Sequence, residues 1–258
     1  MKTKNSIIYT LCLGLFLATA CSEDGVSPDS GGEGSGAGVG GSMAQYTIIN
    51  GTLYTLDAGK LTAYDIASNS AKPTKVGDKF VGTDAETLFP YRGHLYMGSQ
   101  NGMSIFDVSK PASPTLLSSY VHITSCDPVV VSGNFAFVTL RQETACRWGQ
   151  NELHIVDVGN EFNPFLASTY NLLYNPHGLA IRNNTLYVCD GSDGLELVDV
   201  SDKERPVRIV EYEGFFAYDV IALPEILIVT GKDGIRQYAY EGETALSLVS
   251  IIPVQYAN

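Results

Sequence analysis

The chain is poor in the residues that most enzymes use. In 258 residues it has one tryptophan, four histidines and five cysteines. The histidines, His94, His122, His154 and His177, stand at no metal-ligand spacing. No Gly-x-Ser-x-Gly elbow occurs, and no glycine-rich loop opens a helix that would hold phosphate. No catalytic residue, metal or cofactor is therefore expected. Basic residues are scarce as well, 16 Lys and Arg against 28 Asp and Glu, for a net charge of −12. A nucleic-acid binder needs clustered cations to displace counterions, so nucleic acid is excluded as a partner, and the acidity itself serves solubility. The apolar run Ile7 to Phe16 is too short to span a bilayer. Beyond residue 45 no stretch has helical periodicity, although 45% hydrophobic and 17% charged content belongs to a folded domain. Such a chain folds as sheet.

What is present is a repeat. Strand-like apolar runs lie at Leu61 to Ile66, Met103 to Val108, Leu153 to Val158, Leu195 to Val200 and Ile235 to Tyr240. Asp65, Asp107, Asp157 and Asp199 occupy one slot in the first four, and Ala239 takes it in the fifth. A period near 42 residues, each unit holding four short strands, marks the blades of a β-propeller. Unit four reads most plainly: His177 to Ile181, the Asn183-Asn184 turn, Thr185 to Cys189, the Gly191 to Gly194 loop, Leu195 to Val200 and Val207 to Tyr212. Prolines such as Pro73, Pro114, Pro164 and Pro206 precede the fourth strand, where a missing backbone donor costs least. The expectation is an all-β, five-bladed propeller over 45–258, with four-stranded antiparallel blades near 45–82, 83–124, 125–174, 175–216 and 217–258. An Asp that ends a strand accepts hydrogen bonds from the following turn, so its recurrence reads as local structure.

Residues 1–20 have the layout of an export signal: Lys2 and Lys4, an apolar run, then Ala18, Thr19 and Ala20. Small residues leading into Cys21 resemble the lipobox of bacterial lipoproteins, with Ala18 standing where Leu is usual. The resemblance implies an acylated Cys21 as the mature N-terminus. Ser22, Glu23 and Asp24 resemble the acidic signal that sends lipoproteins of the Bacteroides group to the outer face of the outer membrane. Residues 21–44 then form a tether, Gly- and Ser-rich from Pro28 to Ser42. The expected address is the outer membrane, lipid-anchored and cell-surface exposed, with the membrane as a partner through the anchor.

The runs LHIVDV (Leu153 to Val158), LELVDVS (Leu195 to Ser201) and MSIFDVSKP (Met103 to Pro111) resemble the LVIVD-repeat propeller proteins. The likeness is weaker in the first unit and degenerate in the fifth, where Gln237-Tyr238-Ala239 replaces the Val-Asp pair. It implies a cell-surface β-propeller and brings no catalytic residues with it.

In a propeller, the loops entering the first strand and those joining the second to the third open on one face, here called the entry face. Unit three departs most from the repeat there. Its loop from Arg141 to Asn151 is long and holds Cys146, Arg147 and the single tryptophan, Trp148; an insertion in one repeat usually maps to the binding face. Cys126 lies on the same face of the same unit, so in an oxidising setting a Cys126–Cys146 disulfide is expected to pin the loop. Cys189, mid-strand, reads as a buried small hydrophobe. Other entry loops bring Asp84 and Glu86, then Asp127, then Tyr174 and His177, and finally Phe215, Tyr218 and Asp219. Convergent aromatic, charged and imidazole groups of this kind suit a glycan, a peptide or a partner outer-membrane protein. The expected function is a non-catalytic binding module, monomeric, with no metal; Asp190 to Gly194 reads as a turn, since it lacks the further ligands of a calcium loop. The competing expectation is a glycoside-active enzyme using rim carboxylates such as Glu86 and Asp127.

Overall fold

The structure, a computed structural model, describes residues 41–121, 128–142 and 150–254. These form five four-stranded antiparallel sheets, each meandering in chain order. Blade one is β1 (Tyr46–Ile49), β2 (Thr52–Asp57), β3 (Lys60–Asp65) and β4 (Thr74–Phe80). Blade two is β5 (Ala85–Tyr91), β6 (His94–Ser99), β7 (Gly102–Asp107) and β8 (Thr115–Val121). Blade three is β9 (Val129–Ser132), β10 (Phe135–Leu140), β11 (Glu152–Asp157) and β12 (Phe165–Tyr170). Blade four is β13 (Leu179–Arg182), β14 (Thr185–Cys189), β15 (Leu195–Asp199) and β16 (Val207–Tyr212). Blade five is β17 (Ala217–Ala222), β18 (Ile226–Gly231), β19 (Gly234–Glu241) and β20 (Ala245–Pro253). The architecture is the five-bladed β-propeller expected from the repeat, and among the described residues no helix is long and apolar enough to cross a membrane.

Local chemistry sets the hairpins. Between β1 and β2 the chain turns at Asn50 and Gly51, with φ of 49° and 73°. Both central residues of a two-residue type I′ turn need positive φ, which Asn tolerates and Gly adopts freely. The recurring aspartates close the turns after the third strands. Oδ1 of Asp65 accepts from the Ala67 amide at 2.9 Å, that of Asp107 from Ser109 at 2.7 Å, that of Asp157 from Gly159 at 2.8 Å and that of Asp199 from Ser201 at 2.8 Å. Asp65 is held below the usual carboxylate range chiefly by the Ser68 hydroxyl, and Asp107 by the Ser109 amide. The aspartates therefore serve local structure.

A bulge recurs between the third and fourth strands of every blade, leaving Val76, Leu117, Ala167, Ile209 and Val249 unpaired in turn. Blade five keeps it at the equivalent place although its Val-Asp signature is gone. Bulges bend a strand and increase its local twist.

Each strand alternates its side chains between two neighbours. Leu195 and Leu197 pack toward blade five with Val220, Leu227 and Val229, whereas Val198 and Val200 pack toward blade three with Phe137, Leu153 and Ile155. Four such cores join blades one to two, two to three, three to four and four to five. Polar clasps reinforce the outer edges: Lys79 Nζ donates to the Pro114 carbonyl at 2.7 Å, and the Ser118 and Ser168 hydroxyls donate to the Glu161 and Lys203 carbonyls, both at 2.5 Å.

Two stability outcomes follow. Leu197→Ala is expected to cost about 2–5 kcal/mol, because the site is fully buried between two blades and cannot collapse. Asp199→Ala is expected to cost only about 1 kcal/mol, the worth of a turn hydrogen bond, and Asp199→Asn less. Urea unfolding checks both, and an Asp199→Ala loss as large as that of Leu197→Ala would contradict the local role.

Candidate functional site

The entry face gathers side chains from blades three, four and five around His177. The sequence pattern puts His177 inside a strand, but β13 begins only at Leu179, and His177 lies in the loop before it. Three blades fix its backbone. Its amide donates to the Cys189 carbonyl at 2.7 Å, its carbonyl accepts from Thr139 Oγ1 at 2.7 Å, and the next amide, of Gly178, donates to the Tyr218 carbonyl at 2.9 Å. The ring is buried. It meets Phe216 edge-on at 5.5 Å between centroids and 69° between planes, and Tyr218 at 5.8 Å and 85°. Phe216 and Tyr218 touch each other at 4.8 Å.

Nη1 of Arg141 contacts Nδ1 of His177. A guanidinium only donates, so Nδ1 is the acceptor and the proton of the neutral imidazole sits on Nε2. Burial, and after it the charge of Arg141, pulls the imidazole down to about 4, so the ring is neutral through the physiological range. Nε2 is buried and has no hydrogen-bond partner among the described residues. A buried donor left without an acceptor costs about 1–3 kcal/mol, so each instance calls for a reason.

Asp219 has a different environment. Its Oδ1 accepts from Ser42 Oγ at 3.2 Å and from the Val220 amide at 3.0 Å. Ser42 Oγ also accepts from the Leu179 amide at 2.7 Å, and the Ala44 carbonyl accepts from the Leu88 amide at 2.8 Å. The segment from Gly41 to Ala44 thus runs from the inner strands of blades four and five to that of blade two, across the mouth of the central channel. Ser42, which composition assigns to the solvated tether, is 1% exposed. The chain passes Asp219 closely: a Cβ on Gly41 would stand 1.9 Å from one carboxylate oxygen, and one on Gly178 1.9 Å from the other and 2.8 Å from the Asp219 Cα. Burial pushes the Asp219 carboxyl up to about 6 despite these hydrogen bonds.

The remaining candidates are more dispersed. Glu86, in β5, accepts from Gln100 Nε2 at 2.9 Å and makes no contact with the His177 group. The Tyr174 side chain is 64% exposed on the rim. Its backbone is pinned at the amide by Asp190 Oδ2 at 2.8 Å and at the carbonyl by Asn151 Nδ2 at 2.5 Å. Asn151 Oδ1 in turn accepts from the Gln142 amide at 2.9 Å, tying the two stems of the long blade-three loop to blade four's entry loop. Of the phenylalanine pair the sequence points to Phe215, but Phe215 lies under the Arg236 guanidinium at 4.1 Å and Phe216 is the ring beside His177. Adjacent residues face opposite ways, and the sequence gives no sign of which faces in. Asp127, Arg147 and Trp148, the lipidation candidate Cys21 and the disulfide candidates Cys126 and Cys146 all lie outside the described residues. Cys189 is a buried free thiol, its ionisation pushed well up by burial.

A second polar group lies between blades three and four, where Asp190, Glu196 and Glu211 bring oxygens within 4.8 Å of one another. Glu196 accepts from Arg208 Nη2 at 2.7 Å and from the Tyr170 hydroxyl, while Asp190 holds the Tyr174 and Asn175 amides. Asp190 thereby fastens blade four to the loop that carries His177, and Glu196 joins blade four to β12 of blade three.

The fold and its entry-face cluster define a β-propeller. Within it, the LVIVD repeat family matches residues 84–122, 125–172 and 177–213, so the chain carries three LVIVD repeats, in blades two to four. No curated protein matches the sequence significantly. Among solved structures the chain is similar to a protein from Lactobacillus plantarum, with a TM-score of 0.62 at 12% identity, covering 79% of this chain and 68% of that one. It is similar also to the periplasmic gluconolactonase PpgL of Pseudomonas aeruginosa, with a TM-score of 0.60 at 14% identity, covering 80% and 70%. A third, the computationally designed Ika8 protein, has a TM-score of 0.57 at 12% identity, with 75% of this chain matched. The chain spans only 57% of that design's length. At these identities the likeness concerns the fold.

Asp219 yields a pH prediction. Its folded value of about 6 lies above its ordinary 3.8, so its contribution to stability is full below about pH 4 and is lost as pH rises through 6. Asp219→Asn should remove that decline, which amounts to about 3 kcal/mol at most. Urea midpoints of the two proteins between pH 4 and 7 check this; parallel curves would refute it.

Proposed function

We propose that the chain is a non-catalytic, lipid-anchored protein of the outer membrane, exposed at the cell surface, whose propeller binds a glycan, a peptide or a partner outer-membrane protein through its entry face. The observation that carries the reading is the His177 group. A neutral imidazole presents a buried N–H without an acceptor among the described residues, beside the Arg141 cation, and it is framed by aromatic rings of which Tyr218 is 38% exposed. The N–H calls for an oxygen acceptor, while Tyr218 and Tyr174 offer flat apolar surface. Sugars and peptides present both, and a concave site with few polar groups is the usual form of a ligand pocket.

Catalysis through rim carboxylates has less behind it. Glu86 is engaged with Gln100, and Asp219 is engaged with Ser42 and backbone amides. Anchoring rests on the signal-like residues before Cys21 and the acidic residues after it.

The binding reading is tested on a glycan array and by pull-down of outer-membrane extract. Tyr218→Ala and His177→Ala are each expected to weaken the signal about tenfold or more, with Trp148→Ala as a third variant from the long loop. Signal unchanged in all three would overturn it. Anchoring is tested separately: Cys21→Ala should abolish incorporation of radiolabelled palmitate and release the protein from the membrane fraction.

A further inference from the structure

The five outer strands are not alike. β4 carries Lys75, Asp78 and Lys79, β16 carries Arg208 and Glu211, and neither β8 nor β12 exceeds seven residues. Charges, prolines and short lengths are what keep free sheet edges from pairing. β20 has none of these guards along most of its length. It is nine residues long, has no charged residue from Ala245 through Val254, and lacks the proline that precedes the outer strands of blades one to four. Leu248, Val249, Ile251 and Ile252 are 52%, 59%, 46% and 52% exposed, and Val254 beyond them is 48% exposed. No other outer strand exposes more than two large apolar side chains among the described residues.

We propose that β20 is a homodimer interface, in which the strand pairs antiparallel with β20 of a second copy about a two-fold axis to make one eight-stranded sheet. Three features select a second copy as the occupant. An antiparallel pair of identical strands satisfies two-fold symmetry by itself, each copy offering the same patch. Residues near the axis face their own counterparts, which in β4 or β16 would oppose like charges but in β20 places Ser250 and aliphatic residues together. Five half-exposed aliphatic side chains of roughly 100 Å² each give about 1,000 Å² over two copies, which reaches the size of a specific interface. The Val249 bulge divides the strand, so the pairing centres on Ser250 to Ile252, where the ladder with β19 is regular again. This departs from the monomer expected from sequence.

The test uses the full chain with Cys21→Ser, so that the acyl group does not itself drive association. Sedimentation equilibrium should give twice the chain mass at micromolar concentration. Ile251→Lys should weaken the dimer at least about tenfold, with far-UV circular dichroism unchanged. If that variant misfolds, Leu248→Lys serves in its place. In the Cys21→Ser chain, Ile251→Cys should give a disulfide-linked dimer on mild oxidation that Val76→Cys does not. A wild-type chain that stays monomeric, whether free or bound to lipid vesicles or to another protein, overturns the proposal. So does a dimer of unchanged strength in folded Ile251→Lys or Leu248→Lys.

Discussion

Each blade of this propeller has two apolar faces and buries neither by itself. That constraint explains why the sequence repeats. A four-stranded meander of about 35 residues exposes Leu, Val and Ile on alternate sides, and only stacking against the next copy removes both sides from water. The third strand is where the requirement is strictest. Leu197 and Val198 point to different neighbours and both are fully buried. The run that shows most clearly in the sequence is therefore the one with least freedom to vary. The same logic locates the weak point. Each of the four junctions between consecutive blades has a core cluster, whereas among the described residues no buried apolar cluster joins blade five to blade one. Ile228 and Ile235 of blade five and Leu53 of blade one, on the sides turned away from their own clusters, are only partly buried.

This division accounts for what could be read in advance. Strand order, turn positions and the role of Asp65, Asp107, Asp157 and Asp199 are local or nearest-neighbour properties, and a repeat displays local properties several times over. Blade five shows the limit of that reading. Its signature is lost at Gln237 to Ala239, yet Val249 keeps the bulge and Leu227 and Val229 keep the core, because the neighbour in blade four constrains shape more than identity. The site was legible only in outline. Arg141, His177 and Tyr218 converge, since the loop rule places them on one face. Phe216 rather than Phe215 joins them, and Glu86 stands apart, because side-chain direction within a loop follows from contacts that no spacing encodes.

The least legible element was the end of the tether. Gly41 and Ser42 are small and polar, which in composition means solvated chain. In the fold the same smallness lets the backbone pass close against the Asp219 carboxylate as it stands, and the serine hydroxyl fits between two inner strands as donor and acceptor at once. A glycine-serine stretch is thus a spacer where nothing faces it and a close-packed strap where a carboxylate does. The partner decides, and it lies 177 residues away.

The buried and turn-closing polar groups of this molecule fall into two patterns. The aspartates that recur are satisfied by amides two residues on, and each could be predicted from its own turn. Polar groups that do not recur are satisfied by residues distant in sequence: Glu196 by Arg208 of its own blade and Tyr170 of blade three, Asp190 by the Tyr174 loop, Asp219 by Ser42 before the first blade. These interactions cost desolvation and return it in fixing one blade, or one loop, against another. The imidazole of His177 is the exception to both patterns. Its backbone is tied to three blades and its Nδ1 to Arg141, so the ring is held firmly, while its remaining N–H has no acceptor among the described residues. Among the described residues it is the buried side-chain donor that a firmly held ring leaves without an acceptor, which is why the proposed binding reading centres on it.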